Sequence, residues 1–189
     1  MADAGVGLEI VDIDPIDSAG LIKTFSVSQC ETVAVSDGLA IVVNSDTYEL
    51  WILDVDPPES IHKVKAVMGA YEAYGLAIYD GYAYFLSGND SYMKIFDIDP
   101  PESAYFVKWV SIPGGGCDVV VSDGYAYAVG NTWSEQTPGY LNVVDVEPPE
   151  YAYIYCTLPL PGRGSGIALS NGYIYTASNE GGLRIVKLW

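Results

Sequence analysis

Two short phrases recur in step along this chain, and their spacing leaves few folds open. The turn VSDG around Asp37 returns as IYDG at Asp80, VSDG at Asp123 and LSNG at Asn171, at intervals of 43, 43 and 48 residues. A second phrase keeps the same beat: LEIVD ending at Asp12, LWILD at Asp54, MKIFD at Asp97, LNVVD at Asp145 and LRIVK at Lys187. Periods in the low forties belong either to paired-helix repeats or to propeller blades of four strands. Val, Ile and Tyr dominate the repeat, and Gly, Pro, Asn or Asp cuts it about every eight to ten residues, so strands are the better reading.

Each repeat then reads as four strands, with the third copy as the type: CDVVVS, YAYAVG, YLNVVDV and YAYIYCTL. Asp-Gly between the first two supplies the positive φ angles of a tight hairpin. Between the third and fourth stand DVDPPES, DIDPPES and DVEPPEY, with a fainter DIDPIDS near the N-terminus. Proline cannot donate to a strand ladder and sets φ near −65°, so these phrases end one strand and start a turn. The expected fold is all-β, a small β-propeller with four blades of four antiparallel strands closed by N- and C-terminal strands. It fills one domain, 1–189, with repeats near 30–69, 70–114, 115–160 and 161–189 and closing strands within 7–28. Twelve of the 25 acids, Asp56, Asp99 and Glu147 among them, would then stand around one rim.

The phrases LEIVD and LNVVD, each followed by an acidic proline turn, together with VAVSDG and VVVSDGYAYA, resemble the LVIVD-repeat β-propellers. The resemblance covers essentially the whole chain. It implies a repeat protein of bacterial or archaeal type, often at the cell surface or outside the cell, with no shared catalytic set. The chain departs from the pattern at Lys187, where the motif Asp is replaced, and at the insertion NTWSEQTPGY.

Composition narrows the partners. A formal charge of −17 with only eight basic residues leaves no patch for nucleic acid, which needs clustered Lys and Arg. No apolar run approaches the length of a membrane-spanning helix, so membrane insertion is not expected. The N-terminus lacks the basic and apolar regions of a signal peptide. Cys30, Cys117 and Cys156 are an odd set without CxxC spacing, and His62 is the only histidine. Neither a disulfide framework nor a zinc site follows from that set.

Irregular loops mark the face opposite the acidic turns, and binding usually sits on irregular loops over a regular scaffold. Counting back six residues from each hairpin Asp or Asn gives Glu31, Tyr74, Cys117 and Ser165, one per repeat, as the expected mouth of a central channel. Asp118 beside Cys117, Arg163 in the loop PGRGSG and Trp133 at the tip of the long insertion complete the expected ligand-binding set. No cofactor is expected; a cation held in the channel or at the acidic rim is the alternative, since hard cations take several oxygen ligands.

The leading functional expectation is a non-enzymatic binding module whose partner is a protein or a small polar or carbohydrate ligand. One alternative is a hydrolytic or metal-assisted enzyme with carboxylates such as Glu31, Glu72 and Asp118 at the channel mouth. The other is a structural repeat segment of a larger surface protein. Finally, the third-strand phrase occurs five times where four blades need four. The N-terminal copy, Leu8 to Asp12, is therefore read as surplus. Its free edge would cover the ring or pair with a second copy to give a homodimer.

Overall fold

The computed structural model describes residues 1–3, 5–70, 73–88, 90–130 and 139–188. Two turns organise it. At Asp37-Gly38, Asp80-Gly81, Asp123-Gly124 and Asn171-Gly172, φ is 48 to 52° at the first residue and 76 to 78° at the glycine. Positive φ at both central residues matches the twist of the flanking strands, and only Asn, Asp and Gly adopt it readily. At the second turn, Oδ1 of Asp12, Asp54, Asp97 and Asp145 accepts the N–H of the residue two positions on, at 2.9 to 3.1 Å. The chain then passes a cis proline into one turn of 3₁₀ helix: Ile16–Ser18, Pro58–Ser60, Pro101–Ser103 and Pro149–Tyr151. The first acid of each phrase is thus a turn cap, which explains why that residue type recurs.

The chain divides into two compact units. The first comprises 1–73 and 97–106. It holds β1 (Ala2–Asp3), β2 (Gly7–Asp12) and β3 (Gly20–Phe25) in the order β1-β2-β3. It also holds β4 (Cys30–Ser36), β5 (Leu39–Asn44), β6 (Glu49–Asp54) and β7 (His62–Met68) in the order β4-β5-β6-β7. Leu8, Val27, Cys30, Ala40, Val42 and Leu53 form its core.

The second unit, 74–96 and 107–189, carries the rest. Its first sheet is β8 (Ala73–Tyr79), β9 (Tyr82–Ser87), β10 (Tyr92–Asp97) and β11 (Tyr105–Ser111). Next come β12 (Asp118–Ser122), β13 (Tyr125–Gly130), β14 (Gly139–Asp145) and β15 (Tyr153–Leu160), then β16 (Gly164–Ser170), β17 (Tyr173–Ser178) and β18 (Gly182–Lys187). Strands β9, β10, β13 and β14 are buried almost throughout, as strands covered on both faces must be. Two clusters fill this unit. One contains Leu86, Met93, Ile95, Val119 and Val144, the other Val129, Leu141, Val143 and Ile174.

The all-β class is as expected, but the strand bookkeeping is not. Instead of four four-stranded blades closed by the terminal strands, the described residues form five sheets, three of four strands and two of three. The outer strand β3 pairs with β2 of its own segment, from Leu8 opposite Phe25 to Asp12 opposite Gly20. The physical reason is local. DPIDS folds into the same capped turn as its siblings, so β2 meets β3 across a short loop, and short loops close at the least entropy cost. Nor is β2 surplus. It lies between β1 and β3, and Leu8 is 3% exposed in the core. On the edge away from β3, β1 pairs only with Gly7 and Leu8 of β2.

Leu8→Ala should cost about 2–5 kcal/mol in chemical denaturation, the usual range for emptying a buried Leu site. Wild-type stability would mean that the N-terminal strand is dispensable after all.

Candidate functional site

The loop-face residues do not gather as the count of six had suggested. Successive residues of a strand point to opposite faces, so an offset of one reverses the surface. In the second unit it is the next residue along, Gly75, Asp118 and Gly166, that converges. A Cβ on Gly75 would lie 2.9 Å from the Asp118 Cα, and one on Gly166 would lie 3.9 Å from Asp118 Oδ2. Asp118 is a clasp between sheets. Its Oδ2 accepts the Ile167 N–H of β16 at 3.0 Å, and its Oδ1 accepts the Val119 N–H at 2.9 Å.

The neighbouring side chains each turn elsewhere. Tyr74 lays its ring against Gly88. Cys117 packs on the cluster of Val129 and Leu141, with its N–H donating to the Val129 carbonyl at 2.8 Å. Ser165 donates its hydroxyl to the Ala177 carbonyl at 3.3 Å. The backbone N–H of Arg163 reaches Glu180 Oε2 at 3.4 Å. Glu31 is exposed on β4 of the first unit. Trp133 and Glu72 lie outside the described residues. Among the described residues, no three His, Cys, Asp or Glu side chains gather into a metal-binding group. Burial pushes the Cys30 thiol up, away from the reactive thiolate.

Sequence reasoning also missed polar groups at the second position of the LxIVD phrase. Lys94 there is 5% exposed, pairs with Asp90 and stands 5.5 Å above the Phe85 ring. Asn142, fully buried, donates to the Pro113 carbonyl at 3.0 Å and accepts the Thr157 hydroxyl. Asn142 is hydrogen-bonded and Lys94 ion-paired where they stand, each tying a strand to a loop, so they build the scaffold rather than bind.

Open space lies instead toward the acidic turns. In the first unit a groove of about 270 Å³ runs between the two sheets, lined by Met1, Leu8, Glu9, Ile10, Val11, Val33, Val35, Ala40 and Val55. Val35 is 64% exposed and Val11 41%, unusual for aliphatic side chains on the strands of a folded sheet. Val35 leads along its strand toward the hairpin Asp37-Gly38 and Val55 follows Asp54, and these two turns are bonded to each other. The Val55 N–H donates to the Gly38 carbonyl at 2.9 Å. Asp56 folds over the hairpin, so that a Cβ on Gly38 would come within 3.2 Å of its Cβ. None of Asp12, Asp37, Asp54 and Asp56 forms an ion pair.

Basic groups in this unit are few and mostly occupied. It contains sixteen of the 25 acids and only Lys23, Lys63 and Lys65 of the eight basic residues. Lys63 Nζ stacks 3.8 Å above the Trp51 ring, and Lys65 Nζ donates to the Glu102 carbonyl at 2.9 Å. Trp51 Nε1 and the Thr47 hydroxyl each donate to Glu49 Oε2 at 2.8 Å, and these bonds hold the Glu49 carboxyl below its usual range. The unit therefore carries a large excess of negative charge, while Met1, which lines the groove, donates its terminal ammonium to the Glu9 carbonyl at 2.7 Å.

No protein-family model and no curated protein matches this sequence. Solved β-propellers match its fold. The β-propeller domain of Cps50 (Swd1) from Myceliophteria thermophila superposes with a TM-score of 0.73 at 11% identity, over 97% of this chain and 65% of that one. Hsv2 of Kluyveromyces lactis gives 0.65 at 12%, over 95% and 53%. The computationally designed Ika4 protein gives 0.63 at 11%, over 87% and 96%. The chain thus spans 53% and 65% of the two natural propellers. Identities this low carry the fold and nothing finer: the chain has a β-propeller fold.

Proposed function

We propose that this chain is a non-enzymatic binding module that takes a partner protein's cationic segment, anchored by an aliphatic side chain, in the groove between β1–β3 and β4–β7. The observation that carries this reading is an exposed aliphatic groove whose strands run into acidic turns that form no ion pair among the described residues. Size supports a side chain or two as occupant, since about 270 Å³ falls just under the range of drug-sized ligand pockets. The lining supports an aliphatic anchor over a sugar, which would look for an aromatic platform and polar groups. Charge supports Lys or Arg beside that anchor, because complementary potentials steer association and reject acidic competitors.

The carboxylate-enzyme reading has less support, because each oxygen of Asp118 already accepts a backbone N–H. Kinship with the LVIVD-repeat propellers belongs to the proposal too, supported by the capped turn at Asp12, Asp54, Asp97 and Asp145. A place at the cell surface would follow from that kinship alone.

Fluorescence anisotropy with a labelled peptide of alternating Lys and Leu tests the proposal. Binding should saturate, weaken as salt rises, and be lost with a Glu-Leu peptide of equal length. Val35→Lys, and separately the pair Asp37→Asn and Asp56→Asn, should each weaken it about tenfold, equivalent to about 1.4 kcal/mol. Asp118→Ala should lower stability and leave this affinity unchanged. Equal binding of the acidic peptide, or an unaltered affinity in Val35→Lys, would refute the groove as the site.

A further inference from the structure

In the second unit, three tyrosines and two carboxylates surround a separate cavity of about 50 Å³. Tyr79 ends β8, Asp80 opens the hairpin, and Tyr82 and Tyr84 follow on β9. From the next sheet come Glu147 and Pro149 of the turn between β14 and β15. Gly124 forms the floor of that side. A Cβ there would lie 2.6 Å from Glu147 Oε2, so the missing side chain lets the carboxylate fold back onto the hairpin. The tyrosines of the YAY phrase read, in the sequence, as packing between blades. Tyr84 does pack so, at 1% exposure among Val119, Ala126 and Val144. Its hydroxyl nevertheless makes no hydrogen bond while lining the cavity.

The ring is buried while the residue lines the cavity, so a group entering that space can meet the hydroxyl. Burial first, and then Tyr82, Asp80, Tyr79 and Glu147, pushes that hydroxyl up, so it is a neutral phenol whose oxygen can accept. No basic residue lines the cavity, and neither Asp80 nor Glu147 forms an ion pair. Aromatic faces attract cations, and the attraction grows as the cation is desolvated. Among the described residues no three His, Cys, Asp or Glu side chains gather here as a metal-binding group. The cavity has room for a small ammonium, and a quaternary head would have no N–H to give the Tyr84 oxygen or the two carboxylates.

We infer that this cavity binds a primary alkylammonium group, the head of a lysine side chain or of a small free amine. The ring faces hold the charge, Asp80 and Glu147 neutralise it, and the Tyr84 oxygen accepts one N–H. This site is independent of the groove in the first unit, and either can fail alone.

The test is an amide NMR titration of the full chain with methylammonium chloride, compared with sodium chloride at matched ionic strength. Saturable shifts at Tyr79 to Tyr84 and at Val146 and Glu147 are expected with methylammonium only. Tetramethylammonium should bind at least about tenfold more weakly, and Glu147→Gln and Tyr84→Phe should each weaken methylammonium about 3- to 10-fold. Nα-acetyl-lysine amide separates the sources. Binding as tight as methylammonium assigns the site to a lysine head, and binding of methylammonium alone assigns it to a free amine. Shifts reproduced by sodium, equal binding of tetramethylammonium, or an unchanged affinity in Glu147→Gln would each overturn the inference.

Discussion

One backbone hydrogen bond holds the pattern together. The N–H just after the last residue of the third-strand phrase donates to the carbonyl of the hairpin glycine: Val55 to Gly38, Val146 to Gly124 and Leu188 to Gly172, all at 2.9 Å. It bonds the two repeated turns to each other at one end of the sheet. The Asp cap then reverses the chain, so the fourth strand must return beside the third. Lys187 shows the division of labour. With Lys in place of the Asp, Leu188 still bonds Gly172, because that bond needs only backbone.

Because these bonded turns carry the acids, they also set where charge accumulates. One oxygen of each capping Asp is committed to its turn, whereas Asp37, Asp56, Asp80 and Glu147 remain without cationic partners. In both units the open space lies beside such turns, between the strand ends of adjacent sheets. In the first unit the walls are aliphatic and in the second aromatic. The same scaffold thus offers two differently lined cavities, each beside acidic turns. Separated charges of one sign keep such a surface hydrated and bias it toward cationic partners.

Much of the fold was legible because turn chemistry is local. Asp-Gly demands its φ angles, and Asp followed by an acid and proline demands its cap, whatever surrounds them. The site was less legible because it depends on side-chain direction. Counting to Cys117 rather than Asp118 is a single step, yet it exchanges a residue packed between sheets for the one that clasps β12 to β16. Register shifts at Cys30/Val33 and Gly164/Gly166 break that count, and no residue pattern announces them. Closure was misread for a different reason. A fifth copy of the third strand looked redundant only on the assumption of four blades, whereas DPIDS already carried the signal for pairing β2 with β3. Tyr84 shows a third limit. Its ring behaves as core and its hydroxyl as lining, and sequence alone does not divide a side chain in two.

The central claim is that binding occurs beside the acidic turns and not on the irregular loops. Hydrogen–deuterium exchange of the full chain with and without the Lys-Leu peptide tests it most directly. Protection should appear at Val33 to Gly38 and at Val55, with no change around Cys117 or from Arg163 to Ser165. Protection confined to those loop residues, with Val33 to Gly38 unaltered, would contradict it.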